Sequence, residues 1–280
     1  MKKSYKNISV TLLGGDNRMD YLADILKNKG YSVKKIYEET ETVDLNCHYL
    51  ILPLPLTQDG VHLNCQWENK PKLVDIIGDL QCKTMVLAGC VSERVADMFQ
   101  QKGIRWRDYY TSERLQRQNA YLTAEATLQL VMQNLNKKIK GTSVLIIGSG
   151  RCGKEAAKLF KKMGAKVTLT SRKIKDKVKT LLLGVKPAQT SKVGEIASKY
   201  QVIINTVPHP VLTKSVLKTI KKSTFVIELA SLAAGVDLQA ASKLGTELLY
   251  APGLPGRYLP FSAAESISET IIKIIKEDSM

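Results

Sequence analysis

The most explicit chemical spacing lies in residues 145–160, LIIGSGRCGKEAAKLF. It can be parsed in two ways. Gly148-x-Gly150-x-x-Gly153 is a dinucleotide fingerprint, whereas Gly148-x-x-x-x-Gly153-Lys154 is close to a triphosphate loop. A triphosphate loop needs Ser or Thr after its lysine to ligate Mg²⁺, and Glu155 stands there, a carboxylate where phosphate would sit. The dinucleotide parse asks only that Gly148 turn, that Gly150 admit the pyrophosphate and that Gly153 let helix pack on strand. With Ser149, Arg151 and Cys152 these glycines would open a helix whose unpaired N–H groups and positive dipole end face the phosphates.

The next strand selects the nucleotide. NAD enzymes place Asp or Glu about twenty residues past the glycines, on the adenosine ribose. Here that strand ends in Ser171, Arg172 and Lys173. A hydroxyl and a guanidinium suit a 2′-phosphate that an acid would repel, so the expected cofactor is NADP. The same two cations could also simply open an exposed helix in a lysine-rich chain. Ligands of open α/β sheets sit at the carboxyl ends of strands, which places Asn205, Thr206 and Val207 on the nicotinamide side and Ser231 at the end of the following strand. His209, between two prolines, reads as structural or exposed rather than as a base.

These residues need a scaffold of alternating strands and helices. The apolar runs at 8–13, 31–37, 48–56, 83–89 and 103–110, with helical patterns between them, read as one open-sheet unit. A stretch from 119 to 140 without Gly or Pro reads as a linking helix. Strand patterns at 142–150, 166–172, 201–208, 223–231 and 246–253 then build a second unit. Ile267, Ile271, Ile274 and Ile275 fall at helical spacing, and that stripe is expected to bury against the first unit. The expected fold class is α/β, with two Rossmann-like open-sheet domains and a cleft between them. Residues 1–118 plus 262–280 would form a substrate and subunit domain, flavodoxin-like or Rossmann-like. Residues 119–140 would link it to an NADP-binding domain at 141–261.

Composition narrows the function classes. A chain of 280 residues with 44% hydrophobic content suits globular domains. No apolar run is long enough to span a bilayer, and the apolar part of the N-terminal stretch is too short for a secretion signal, so a cytoplasmic location is expected. The net charge of +16 is spread along polar helix faces without a dense basic tract, which disfavours nucleic acid and suits anionic small ligands. Five cysteines at wide spacing, without C-x-x-C, argue against a disulfide framework or zinc ribbon. Cys47-His48 and His62-x-x-Cys65 could be drawn together around a metal, but buried cysteine is usually a small hydrophobe, and no metal is expected.

Several motifs recur in a fixed order: LLGGDNR, LPLPLTQDG, NAYLTAEAT, LIIGSGRCGK, INTVP, ELAS and LLYAPGLPGRYLP. Over nearly its whole length the chain resembles the family of dipicolinate synthase A subunits from spore-forming bacteria. The glycine turn is common to many dehydrogenases, whereas GGD-x-R, NAxxTAE and APGLPG together are specific. The resemblance implies conversion of hydroxytetrahydrodipicolinate to dipicolinate in sporulation, by loss of water and a two-electron oxidation with NADP⁺ as acceptor. It also implies a partner, the flavoprotein-like B subunit of dipicolinate synthase, and residence in the mother cell; a homo-oligomer is compatible with it. The substrate would be a heterocycle with two carboxylates, which need cationic or N–H partners.

Arg18, at a helix start, is the candidate anion clamp, although a loop arginine facing water reads equally well. Asn119, Thr123 and Glu125 match the family pattern; Glu125 is expected as acid/base and Thr123 as a substrate hydrogen-bond donor. Being two apart, the last two share no face of an ideal helix, so both reach one site only if the backbone there is a turn or a helix N-terminus. The chain departs from the family at several places. Leu122 and Ala126 replace a Pro and a Gly, Ala233-Ala234-Gly235 replaces Pro-Gly-Gly, and Glu228 replaces an Asp. Phe261 stands where the family has a lysine that could contact an anion.

Overall fold

The computed structural model describes residues 8–36, 45–173, 176–231 and 235–279. The chain forms two compact units, Met1–Gln118 with Leu259–Met280, and Asn119–Tyr258. In the first, β1 (Ser9–Leu13), α1 (Asn17–Asn28), β2 (Ser32–Ile36), β3 (Tyr49–Ile51), α2 (Leu73–Asp79), β4 (Met85–Ala88), α3 (Glu93–Gln101) and β5 (Arg105–Asp108) follow one another. The sheet runs β2-β1-β3-β4-β5, entirely parallel. That is the flavodoxin-like order rather than the Rossmann one, with its switch point between β1 and β3.

Helix α4 (Glu113–Asn134) carries the chain into the second unit. It starts earlier and ends sooner than the 119–140 stretch suggests. Ser112 explains the start: its Oγ accepts the Leu115 N–H at 3.4 Å, as an N-cap does. Beyond Asn134 the chain turns and buries Ile139.

The second unit comprises β6 (Ser143–Ile147), α5 (Arg151–Lys162), β7 (Lys166–Ser171), α6 (Asp176–Leu182), β8 (Lys186–Gln189), α7 (Val193–Ile196), β9 (Val202–Asn205), α8 (Lys214–Leu217), β10 (Phe225–Glu228), α9 (Leu238–Leu244), β11 (Leu248–Tyr250) and α10 (Leu254–Tyr258). Its parallel sheet runs β11-β10-β9-β6-β7-β8, the Rossmann order, with the switch point between β6 and β9. Strand β8, KPAQ, escapes a periodicity reading because it has a proline and no apolar run. Among the described residues it pairs with β7 alone, at the sheet edge, where a missing N–H is tolerated.

Helix α11 (Pro260–Asp278) returns to the first unit and packs on α1. It buries Ile267, Ile271 and Ile275 as the stripe requires, with Ile274 partly buried. Parallel central strands are covered on both faces, which is why β3 and β4 read as unbroken apolar runs. Alternate residues feed two cores. Leu12, Ile51 and Leu87 meet α1 and α11, while Leu13, Leu50 and Val86 meet α2 and α3. Among the described residues no helix is long and apolar enough to cross a membrane.

Candidate functional site

Strand β6 delivers the chain into the glycine turn at the switch point of the second sheet. Gly148 has φ +104°, and a Cβ there would lie 2.6 Å from both Thr206 Oγ1 and Val207 Cγ2. A Cβ on Gly153 would lie 1.8 Å from the Gly148 carbonyl oxygen, so α5 packs directly on the turn. At Gly150 a Cβ would meet nothing within 4 Å. The requirements at Gly148 and Gly153 therefore come from the protein's own packing. The position of Gly150 is open, which is what close approach by a phosphate needs.

Gly150 is the N-cap of α5 and provides no side-chain hydrogen bond. The first bond into the helix runs from Lys154 N to Gly150 O at 3.0 Å. The N–H groups of Arg151, Cys152 and Gly153 precede it and lack intrahelical acceptors, as at any helix start. Ser149 is half-buried, Arg151 exposed and Cys152 half-buried. Glu155, the residue that spoils the triphosphate parse, pairs with Lys158 at 2.7 Å.

Two threonines outside the motifs tie the turn to the neighbouring strands. Gly148 N donates to Thr170 Oγ1 at 3.2 Å, and Thr170 Oγ1 shares a hydrogen bond with Thr190 Oγ1 at 3.1 Å. Thr190 also lines a pocket of about 370 Å³ with Arg172, Ser191, Val207 and His209. Ser171 is buried, and its Oγ donates to the Lys173 carbonyl at 3.2 Å; Arg172 and Lys173 are exposed. Among the lining residues no carboxylate faces Arg172.

The end of β9 divides into two kinds of residue. Thr206 and Val207 lie against Gly148, with Thr206 Oγ1 donating to the Ile147 carbonyl at 2.8 Å. Asn205 has a different part from the one expected of it, because its side chain faces inward. It is fully buried, and its Nδ2 donates to the Val207 carbonyl at 3.0 Å and to Glu228 Oε2 at 2.7 Å. Its place in the site is to hold the loop rather than to line a nicotinamide. Burial pushes the Glu228 carboxyl above its ordinary value, against hydrogen bonds from Asn205 and the Ala230 N–H. Gly235 packs on this pair: a Cβ there would sit 2.0 Å from Asn205 Nδ2. Ser231 is exposed, and its carbonyl accepts the Tyr250 hydroxyl at 2.6 Å. Of the family departures after Glu228, residues 233 and 234 lie outside the described residues.

On α4, Thr123 and Glu125 both stand in regular helix, not in a turn or at an N-terminus, so they occupy different faces. Thr123 is buried and donates to the Asn119 carbonyl at 2.7 Å. It also hydrogen-bonds Cys152, whose thiol burial pushes upward against that bond. Glu125 instead partners the exposed Tyr121 and lines a groove with Leu128 and Leu159. The structure joins Thr123 to the first turn of α5 and sets Glu125 beside Leu159, farther along the same helix.

In the first unit, Arg18 is nearly enclosed. Its Nε and Nη2 hold both Asp16 oxygens at 2.8 Å, and Nη2 also donates to the Leu54 carbonyl at 2.5 Å. Three of its five N–H donors are thus engaged, leaving the Nη1 pair. Burial would raise the Asp16 carboxyl, but the hydrogen bonds and charge of Arg18 outweigh it and hold that carboxyl below the ordinary value. Nearby, the Asp108 carboxylate accepts the N–H groups of Cys90, Val91 and Tyr110 at 3.2, 2.9 and 2.7 Å. The imagined metal ligands go elsewhere: His48 bonds Ser9 Oγ at 2.7 Å, and His62 bonds Asp59 at 2.7 Å. Among the described residues no group of three His, Cys, Asp or Glu could hold a metal ion.

Residues 9–110 match the family of N-terminal domains of the dipicolinate synthase A subunit, and residues 105–240 match the NAD-binding domain of D-isomer specific 2-hydroxyacid dehydrogenases. The dipicolinate synthase A subunit of Bacillus subtilis (strain 168) is 31% identical over 159 residues, a stretch covering 57% of this chain and 54% of that protein. The solved structure of the dipicolinate synthase A subunit from Bacillus halodurans superimposes with a TM-score of 0.83 at 24% identity, over 97% of this chain and 98% of that one. The D-lactate dehydrogenase of Escherichia coli has the same general fold, with a TM-score of 0.66 at 12% identity over 97% of both chains. The motif order, the first-unit match and the dehydrogenase-type nucleotide domain together identify this chain as a relative of the dipicolinate synthase A subunit.

Proposed function

We propose that this chain is an NADP-dependent oxidoreductase that oxidises dihydrodipicolinate, formed from hydroxytetrahydrodipicolinate by loss of water, to dipicolinate. The observation that carries the cofactor choice is the end of β7, where Arg172 lines a pocket with no carboxylate among its described lining residues. The substrate class rests on the likeness of residues 9–110 to the N-terminal domain of the dipicolinate synthase A subunit.

A nicotinamide bound at the switch point of the second sheet would supply the hydride acceptor. The chain's own residues have the remaining tasks. The N-terminus of α5 and Gly150 receive the pyrophosphate, and Thr206 and Val207 flank the turn. Loss of a hydride and a proton from a dihydropyridine gains aromaticity, so positioning carries much of the acceleration. Arg18, with its Nη1 pair, is assigned to a substrate carboxylate. Asn119 and Thr123 are assigned to positioning, since the Thr123 hydroxyl proton goes to the Asn119 carbonyl. Glu125 is assigned as the acid/base.

The test mixes the chain, with and without a B-subunit partner, with NADP⁺ and enzymatically generated substrate. Dipicolinate absorbance and NADPH should rise together, one for one. Glu125→Gln should lower turnover at saturating substrate by about 10²-fold or more if it transfers the proton; normal turnover removes that assignment. The enclosed Thr123 hydroxyl favours a second reading, a non-catalytic NADP-binding subunit, which predicts NADP binding but no product even with the partner present. A third, oxidation of another small carboxylate, predicts NADPH formation with a hydroxy or amino acid instead.

A further inference from the structure

His209 stands on a loop fastened on both sides. Before it, Asn205 holds the Val207 carbonyl at 3.0 Å and accepts the Val207 N–H at 3.2 Å. After it, the N–H groups of Val211 and Leu212 both donate to the Gly235 carbonyl, at 3.1 and 2.9 Å. Pro208 and Pro210 restrict the backbone on either side of the histidine. The side chain itself is exposed and, among the described residues, has no hydrogen-bond or ion-pair partner. A fastened loop therefore fixes the backbone beneath an uncommitted imidazole, so on binding the ordering cost falls on that side chain and not on the loop.

That imidazole lines the same pocket as Arg172. The opposing chemistry is sorted: Arg172, Ser191 and His209 are polar, whereas Val193, Val211 and Val216 offer an apolar wall. Such a lining suits a flat heterocycle beside an anion. Thr190, also in the lining, bonds Thr170, which bonds Gly148 N, so the pocket and the glycine turn belong to one hydrogen-bonded site. In a Rossmann sheet the position just past the second strand, here Arg172 after β7, meets the adenosine ribose.

We infer that His209 is a second ligand of the cofactor's 2′-phosphate, closing on it from the β9 loop while Arg172 holds it from the end of β7. This inference rests on the NADP reading above. It makes discrimination a property of two strands rather than of the residue after β7 alone.

The test is calorimetric binding of 2′,5′-ADP and 5′-AMP to the full chain, in wild type and in His209→Ala and His209→Phe. Phenylalanine keeps any stacking on adenine and removes the imidazole N–H. The expected result is that both variants lower the ratio of the 5′-AMP to the 2′,5′-ADP dissociation constants by about tenfold, the scale of one charge-assisted hydrogen bond. Affinity for 5′-AMP should stay within about twofold. A high wild-type ratio that His209→Phe leaves in place overturns the inference alone, as does an equal loss of both ligands. A wild-type ratio near one overturns the NADP reading, and the inference with it.

Discussion

Each unit has a glycine-bearing turn that leaves its first strand, at the switch point of a parallel sheet, and enters a helix. They are finished differently. After β6 the N-cap is Gly150, which has no side chain to satisfy the helix start. After β1 the N-cap is Asp16, whose carboxylate accepts the Arg18 N–H at 3.1 Å and is gripped by the Arg18 guanidinium. An anion thus already stands at the N-terminus of α1, supplied by the chain. The same strand–turn–helix junction is left open at the helix start where the cap is glycine, and is filled by the chain's own carboxylate where the cap is an acid. Two α/β units therefore do not imply two nucleotide sites.

The largest effects should come from the glycines of the second turn, which separate packing from binding. Gly153→Ala puts a Cβ against the Gly148 carbonyl, 1.8 Å away, and backbone must move. We expect about 3 kcal/mol of destabilisation, the upper end of overpacking costs, and no measurable nucleotide binding. Gly150→Ala meets open space and should change stability by no more than about 1 kcal/mol. It should still weaken dinucleotide binding by about tenfold or more, because losing one charge-assisted hydrogen bond has that effect. Urea denaturation and calorimetry on both variants check this; equal behaviour would mean that Gly150 has no ligand-facing purpose.

Exchanging the caps is the next test. Gly150→Asp gives the second turn the acid of the first, and should abolish nucleotide binding while the fold persists. Asp16→Ala removes the clasp and strands a nearly enclosed guanidinium; the first unit should lose about 2 kcal/mol. Fluorescence-monitored urea midpoints read the second change, and dinucleotide titration reads the first.

Much of this contrast is legible in the amino-acid sequence, and the rest is hidden there for identifiable reasons. Gly148, Gly150, Gly153 and the Ser171–Arg172–Lys173 strand end can be read because a strand, turn and helix are local. Arg18 is legible as a cation at a helix start. Its engagement is not, because one acceptor, the Leu54 carbonyl, lies 36 residues away. Strand β8 is hidden by Pro187, and with it go Thr190 and Ser191, which line the pocket beside Arg172. Asn205 sits at a strand end where ligands bind, yet side-chain direction there is set by Glu228 across the sheet. The pairing of Thr123 with Cys152, and not with Glu125, follows from helix phase once α4 is known to be regular through both.

A smaller effect belongs to Arg172. Arg172→Ala should lower the preference for NADP over NAD by about tenfold, with stability unchanged because the side chain is exposed. Paired titrations with both cofactors decide it. A preference that survives would place discrimination elsewhere in the pocket and break the link between the β7 end and the 2′-phosphate.

The smallest prediction uses acid to compare the two carboxylates that close the strand ends. Asp16 is held below its ordinary value, so near that value the unfolded chain binds more protons than the folded one. Its contribution is complete at higher pH and is lost as pH falls through the folded Asp16 value. Glu228 is raised, so the folded chain takes the proton first, and its charge destabilises the second unit as pH rises through that value. The two units should therefore respond to mild acid with opposite signs. Asp16→Asn should flatten the fall of the urea midpoint toward low pH, and Glu228→Gln should steepen it, because the protonatable group that gains stability there is gone. Parallel slopes in both variants would mean that Glu228 stays charged within its hydrogen bonds, and that the second unit closes its strand ends as the first one does.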